Sequence, residues 1–188
     1  MKGISLLGQR INLGAVSLLQ AKKLAQYFNE TKDFLGATNA PDMTISHEKE
    51  FIKLMNKDKN KYFFGIYLKE TGAIIGTISI IDIDTHNKTA ETGTMIGLDF
   101  VNKGYGTEAK HILLDYIFNT LKLRKIFSKI LSYNKRSRSY ALACGYKHEA
   151  TLKDVRLRHG VYWDEWILSI TKEEWEPIFT LYKNKHYI

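Results

Sequence analysis

The sequence predicts an α/β (α+β) protein: a mixed, mostly antiparallel sheet interrupted and flanked by helices. Three observations carry this. Residues 62–100 hold three strand-like runs joined by short polar turns, residues 104–121 switch to a helical period, and residues 146–171 hold two more strand-like runs around His159-Gly160. Apolar or β-branched runs closed by turn residues mark strands, whereas apolar residues three and four apart mark a helix with one buried face.

Arg10 to Val16 reads as a first strand, followed by a helix over Ser17 to Phe28. Asn29 to Ile45 shows neither period. Ser46 is placed to cap a second helix, with Glu48 in its first turn and Phe51, Ile52 and Met55 on one face. Three strands follow, Tyr62–Leu68, Ala73–Ile83 and Ala90–Phe100, separated by Glu70-Thr71-Gly72 and by Asp84 to Lys88. Short turns make antiparallel pairing the economical arrangement for them. Ala109, Ile112, Leu113, Tyr116, Ile117 and Leu121 then outline a helix, and Lys125 to Tyr133 a further strand. Asn134 caps a short helix that stops at Gly145. The hairpin Tyr146–Arg158 and Val161–Thr171 closes the sheet, and Lys172 to Leu181 ends the chain as a helix.

Composition narrows the function classes. With 188 residues and no Pro/Gly linker or repeat, one domain spanning residues 1–188 is expected. No apolar run approaches the ~20 residues of a membrane span, and the N-terminus lacks a signal-peptide pattern, so a cytoplasmic protein with no membrane partner is expected. One cysteine, Cys144, excludes an internal disulfide and a multi-cysteine metal site; the six histidines show no ligand spacing, so no metal is expected. Cys144 reads as a small buried thiol, His111 as a surface residue, and Trp163, Trp166 and Trp175 as core. The net charge of +8 fits either solvated lysines or attraction of a phosphate-bearing partner. No zinc spacing, aromatic RNA-binding motif or basic recognition helix points to nucleic acid.

Gly104-Tyr105-Gly106-Thr107-Glu108-Ala109 satisfies G-x-G-x-x-A. A nicotinamide site would need this turn after the first strand of a parallel unit, with an acid about 20 residues on. Three antiparallel strands precede it instead, and Lys125–Leu131 carries no acid. What survives is the physics of the turn: glycines let backbone amides converge at a helix start, which makes an anion site suited to a pyrophosphate.

With these residues in view, the chain resembles the GNAT superfamily of N-acetyltransferases over nearly its whole length. Val101 to Ala109 is similar to the family's [Gln/Arg]-x-x-Gly-x-[Gly/Ala] acetyl-CoA segment, Asn134-Lys135-Arg136-Ser137 with Cys144-Gly145-Tyr146 to its Asn-x-x-[Ser/Ala] helix and closing Gly-Phe, and Gly8 to Leu13 to its opening strand. The stretch His159 to Glu165 resembles the branch of ribosomal-protein N-terminal (alanine/serine) acetyltransferases. The resemblance implies a sheet splayed at the fourth strand, with the pantetheine arm of acetyl-CoA in the gap. It implies that Ile96 and Leu98 pair with the pantetheine amides, that Val101, Asn102, Lys103, Gly104, Tyr105, Gly106 and Thr107 cradle the pyrophosphate, and that Asn134 and Ser137 touch the pantetheine arm or the diphosphate end. Lys135, Arg136 and Arg138 are then candidates for the 3′-phosphate, a solvated helix face being the other reading. Val101 departs from the family's Gln or Arg. The family's acidic Tyr, seven residues after the Asn, is Ala141 here; Tyr140 stands one residue earlier, ~100° around a helix.

Transfer to nitrogen requires a neutral amine, since an ammonium has no lone pair. Glu91, on the strand expected to flank the thioester, is the candidate base, with a surface strand glutamate as the plain alternative; the departing thiolate either leaves with little protonation or takes a proton from Tyr140, the candidate acid, or from Ser137. Direct attack in a ternary complex is expected, the acceptor being a nucleotide amino sugar, a protein N-terminus or an amino acid. A polyamine fits a +8 chain less well. A non-catalytic acyl-CoA-binding or sensing protein of the same fold is the alternative, and either a monomer or a homodimer is compatible.

Overall fold

The computed structural model describes residues 4–35 and 40–186. Eight strands form one sheet in the order β1-β2-β3-β4-β5-β6-β8-β7, with β1 Leu6–Leu7, β2 Ile11–Ala15, β3 Tyr62–Leu68, β4 Ile74–Asp84, β5 Thr89–Ile96, β6 Lys125–Leu131, β7 Lys147–Arg158 and β8 Val161–Thr171. Five α-helices accompany it: α1 Ala21–Thr31, α2 Ile45–Lys57, α3 Tyr105–Asp115, α4 Lys135–Ala143 and α5 Lys172–His186. The mixed, mostly antiparallel sheet is as predicted, and β3 to β5 form the expected antiparallel meander, with β2 antiparallel to β3 beside it.

The one parallel pair opens the sheet. β5 and β6 pair only over Thr89/Lys125, Ala90/Ile126 and Glu91/Phe127. Beyond that point β5 stays bonded to β4 as far as Ile96, and β6 stays bonded to β8 as far as Leu131. Each strand follows its outer neighbour, so a V-shaped gap opens between Thr92–Ile96 and Ser128–Leu131. Counting from the strand at residues 10–16, this is the fourth strand at which a splay was expected; the two-residue β1, too short to announce itself, makes it the fifth.

Strand alternation puts separate cores on the two faces. Phe64, Ile66 and Ile78 look toward Leu113, Ile117 and Trp175, while Phe63 and Ile74 look toward Leu24, Tyr27 and Ile52 of α1 and α2. α3 is the buried central helix. Every residue from Glu108 to Leu114 is buried, because the segment before β2 covers Glu108, the gap in the sheet covers Lys110 and α5 covers His111. The expectation of one buried face, and of a surface His111, is thereby corrected. His111 accepts a hydrogen bond from Trp175 Nε1 at 3.2 Å and stacks on Phe179. Burial, with His186 nearby, draws its pKa down to about 4.

Three boundaries also differ. Thr44, not Ser46, caps α2, its hydroxyl accepting from the His47 amide. The helix after the glycine turn loosens into a π-helical turn at Tyr116–Thr120. β5 ends at Ile96 rather than residue 100: the chain passes Gly97, where a β-carbon would lie 2.4 Å from the Tyr27 ring, and turns into Leu98–Phe100. Of the three tryptophans predicted as core, Trp175 is buried, and Trp163 and Trp166 are half-buried.

Candidate active site

The turn between β5 and α3 is shaped by two left-handed residues, Asn102 (φ 60°) and Gly104 (φ 80°). The first amides of a helix have no intrahelical acceptor, so those of the Gly104–Thr107 segment are available to an anion, and the helix start adds partial positive charge. A staple from the far end of the chain holds this turn. Glu108, fully buried, accepts the Gln9 and Arg10 amides at 2.8 Å each and the Ile11 amide at 3.3 Å. Its other oxygen takes Arg10 Nε at 2.9 Å, and Arg10 Nη1 donates to the Lys103 carbonyl at 2.9 Å. Arg10 thus clamps the turn from outside, its guanidinium 5.0 Å over the Tyr105 ring.

Facing the turn is a cavity of about 490 Å³, lined by Thr94 and Ile96 of β5, by Phe100 to Thr107 without Lys103, and by Arg136, Ser137, Ser139 and Tyr140 of α4. It therefore gathers Ile96, Val101, Asn102, Gly104, Tyr105, Gly106, Thr107, Ser137 and Tyr140 from the predicted set. Leu98 and Lys103 do not line it: Leu98 left the strand for the turn after Gly97, and Lys103 contributes its carbonyl to Arg10 while its ammonium lies over Phe100. Of the basic cluster only Arg136 reaches the cavity. Lys135 and Arg138 sit over the Trp166 ring at 4.8 and 5.0 Å.

A second cavity of about 210 Å³ fills the V itself, between Glu91–Thr94 and Ser128–Leu131, with Lys110, Asn134, Ser137, Tyr140, Arg156 and Glu165 around it. Thr94, Ser137 and Tyr140 are common to both, so the two spaces are neighbours. Asn134 caps α4 as predicted, accepting from the Ser137 amide at 3.0 Å and donating to the Phe34 carbonyl at 2.9 Å. Tyr140 reaches the gap despite its offset: its hydroxyl is 3.1 Å from Thr94 Oγ1, while Ala141 packs in the core. Burial holds the Tyr140 phenol well above its ordinary pKa. Glu91 is present at the gap, ion-paired with Lys129 at 2.6 Å. Cys144 is wholly buried as predicted, and burial pushes its thiol up to about 12, which leaves it no nucleophilic character at neutral pH.

Besides Glu108, two buried ionisable groups escaped the sequence reading. Lys110 is buried under the gap, donating to Thr92 Oγ1 at 2.7 Å, with the Tyr140 and Tyr146 rings 5.6 and 5.5 Å away. Burial brings its pKa down to about 8. Glu48 lines a third cavity of about 230 Å³ on the α1–α2 face, among Phe28, Phe51, Met55, Phe63 and Met95, and burial raises its carboxyl to about 7. That cavity shares Leu35, Gly93 and Thr94 with the V. A polar residue in a helical pattern reads as solvent-facing, so no local signal betrayed either one.

Comparison with known proteins agrees with this geometry. The acetyltransferase (GNAT) domain family matches residues 10–147. The uncharacterized N-acetyltransferase p20 of Bacillus licheniformis is 28% identical over 170 residues, covering 89% of this chain and 96% of that protein. The [ribosomal protein uS5]-alanine N-acetyltransferase of Escherichia coli (strain K12) is 25% identical over 166 residues, 84% of this chain and 85% of that one. Among solved structures, the microcin C7 self-immunity acetyltransferase MccE in complex with acetyl-CoA and AMP superposes with a TM-score of 0.75 at 28% identity, covering 87% of this chain and 93% of that one. A glycine turn clamped at a helix start, a sheet opened beside it and a family match over most of the chain lead to one conclusion: the protein belongs to the GNAT family of acetyl-CoA-dependent N-acetyltransferases.

Proposed function

We propose that this enzyme moves the acetyl group of acetyl-CoA to a primary amine by direct attack within a ternary complex, the amine belonging to a nucleotide amino sugar, a protein N-terminus or an amino acid. The observation that carries this is the continuity of the two cavities: an amide-lined turn for a diphosphate runs into a gap in the sheet for a thioester. The donor set suits that co-substrate. In this reading the amides of Val101 to Thr107 hold the diphosphate, Ile96 lines the arm, and Asn134 and Ser137 border it. Arg136 is the basic side chain available to the 3′-phosphate.

Acetyl-CoA supplies an activated acyl group; the chain supplies orientation and proton management. Glu91 takes the proton of the attacking amine, directly or through a water, while its ion pair with Lys129 holds the carboxylate in place. Tyr140 and Ser137 are the hydroxyl donors that face the departing sulfur. The apolar cavity holding Glu48 lies across Gly93 and Thr94 from the gap and is the entry proposed for the acceptor.

The test has two parts. Titration calorimetry should show acetyl-CoA binding. Isotope-labelled acetyl-CoA, offered with alanyl- and seryl-terminated peptides, a uridine-diphosphate amino sugar and free amino acids, should yield one acetylated amine by mass spectrometry. Glu91→Gln should lower turnover on that amine about a hundredfold at pH 7 and less at pH 9; equal turnover would remove Glu91 from the mechanism.

A further inference from the structure

Lys110 is a buried cation in a place where the fold does not need one. Its side chain projects from the central helix α3 into the floor of the gap, 2% exposed. It makes one neutral hydrogen bond, to Thr92, whose hydroxyl also meets Tyr146 at 3.2 Å. Around it stand Glu91 of β5, Tyr140 of α4, Cys144 at the end of that helix and Tyr146 beyond it; no carboxylate lies within ion-pair distance of it among the described residues. An ammonium without a paired anion is costly to bury, and an apolar side chain of the same length would serve the packing better.

Resting on the acetyl-transfer reading above, we propose that Lys110 is a further catalytic residue, the general acid that protonates the sulfur leaving the thioester. The amine nitrogen bonds to the acyl carbon as the C–S bond breaks, and the electron pair stays on sulfur. Lys110 passes one proton to that sulfur, while Glu91 receives one from the new amide nitrogen. Glu91 and Lys110 border the same cavity, so the second proton returns to Lys110 and both groups are reset with no outside reagent.

Proton affinities choose among the three donors at the gap. A thiol has an ordinary pKa of about 8.5. Lys110, lowered to about 8 chiefly by burial, gives its proton to such a thiolate nearly without cost. Tyr140, raised well above its usual value by burial, would do so uphill. A serine hydroxyl such as Ser137 is a far weaker acid still. Tyr140 therefore orients and hydrogen-bonds, and Lys110 supplies the proton.

The test compares Lys110→Met with the parent enzyme in three measurements. Acetyl-CoA affinity by calorimetry should stay within threefold. The melting temperature at pH 7 should rise, because the buried charge is gone. Turnover on the best acceptor of the panel, or thiol release to water if none reacts, should fall at least tenfold. Unchanged turnover in a variant that still binds acetyl-CoA would overturn the role of Lys110 alone. Absence of acetyl-CoA binding in the parent would instead overturn the acetyl-transfer reading. As a check that needs no variant, the Lys110 side-chain nitrogen, followed by NMR, should titrate near pH 8 and shift when coenzyme A is added. A titration above pH 10 or a signal indifferent to coenzyme A would also refute the assignment.

Discussion

At the scale of single residues, burial has set two side chains against each other. Glu48 keeps a proton in the folded state that the unfolded chain releases from 4.5 upward, so its contribution to stability falls between pH 4.5 and about 7 and stays low above that. His111 does the reverse: its folded pKa lies below the unfolded 6.5, so its contribution is complete above 6.5 and is lost as pH falls toward about 4. Across pH 4.5–6.5 the two oppose and flatten the profile of the parent protein. Scanning calorimetry on single variants should separate them. Glu48→Gln is expected to raise the melting temperature at pH 8 and to change it little at pH 4. His111→Gln is expected to lose stability at pH 7 with the Trp175 hydrogen bond, yet to lose less than the parent on acidification to pH 4. Profiles that run parallel to the parent's would show that neither group titrates as its burial requires. None of this was legible beforehand: His111 and Lys110 fall on the face of α3 that the periodicity left polar, and only α5 and the floor of the gap explain their burial.

Among the elements, the glycine turn could be read and its clamp could not. Gly104 announces itself by the spacing of glycines before a helix, and the structure gives it the left-handed backbone that such a turn needs. Gly104→Ala is expected to cost about 1–2 kcal/mol from backbone handedness, with its new carbon 3.1 Å from Arg10 Nη2, and to weaken acetyl-CoA binding in calorimetry. Glu108, by contrast, looks like an ordinary first-turn acid, and its partners are 97 to 99 residues away in β2 and the turn before it. Glu108→Ala leaves three amides and a guanidinium without their acceptor; at about 1–3 kcal/mol for each buried orphan, a loss of roughly 3 kcal/mol or more is expected in urea denaturation. A loss below about 1 kcal/mol would mean the turn is held by something else. Helix caps sort the same way. Asn134 is legible because its bond to Ser137 is local; the cap of α2 falls at Thr44, two residues before the expected Ser46, because where that helix starts depends on how it packs.

For the molecule as a whole, the strands and their mixed pairing were legible in alternation and turns, and the gap between β5 and β6 was expected through family resemblance rather than residue pattern. No local signal says that a parallel pair will stop after three residues; that depends on β4 and β8 drawing their neighbours apart. Gly97, just past the end of β5, has the same character: the Tyr27 ring of α1 leaves no room there for a β-carbon. Function then lives where the sheet is incomplete. The most direct measurement is a crystal structure of the protein grown with coenzyme A. The expected result is a diphosphate on the amides of residues 101–107, the arm lying between Thr92–Ile96 and Ser128–Leu131, and the sulfur beside Lys110 and Tyr140. Coenzyme A bound elsewhere, or β5 and β6 hydrogen-bonded along their full length, would contradict it.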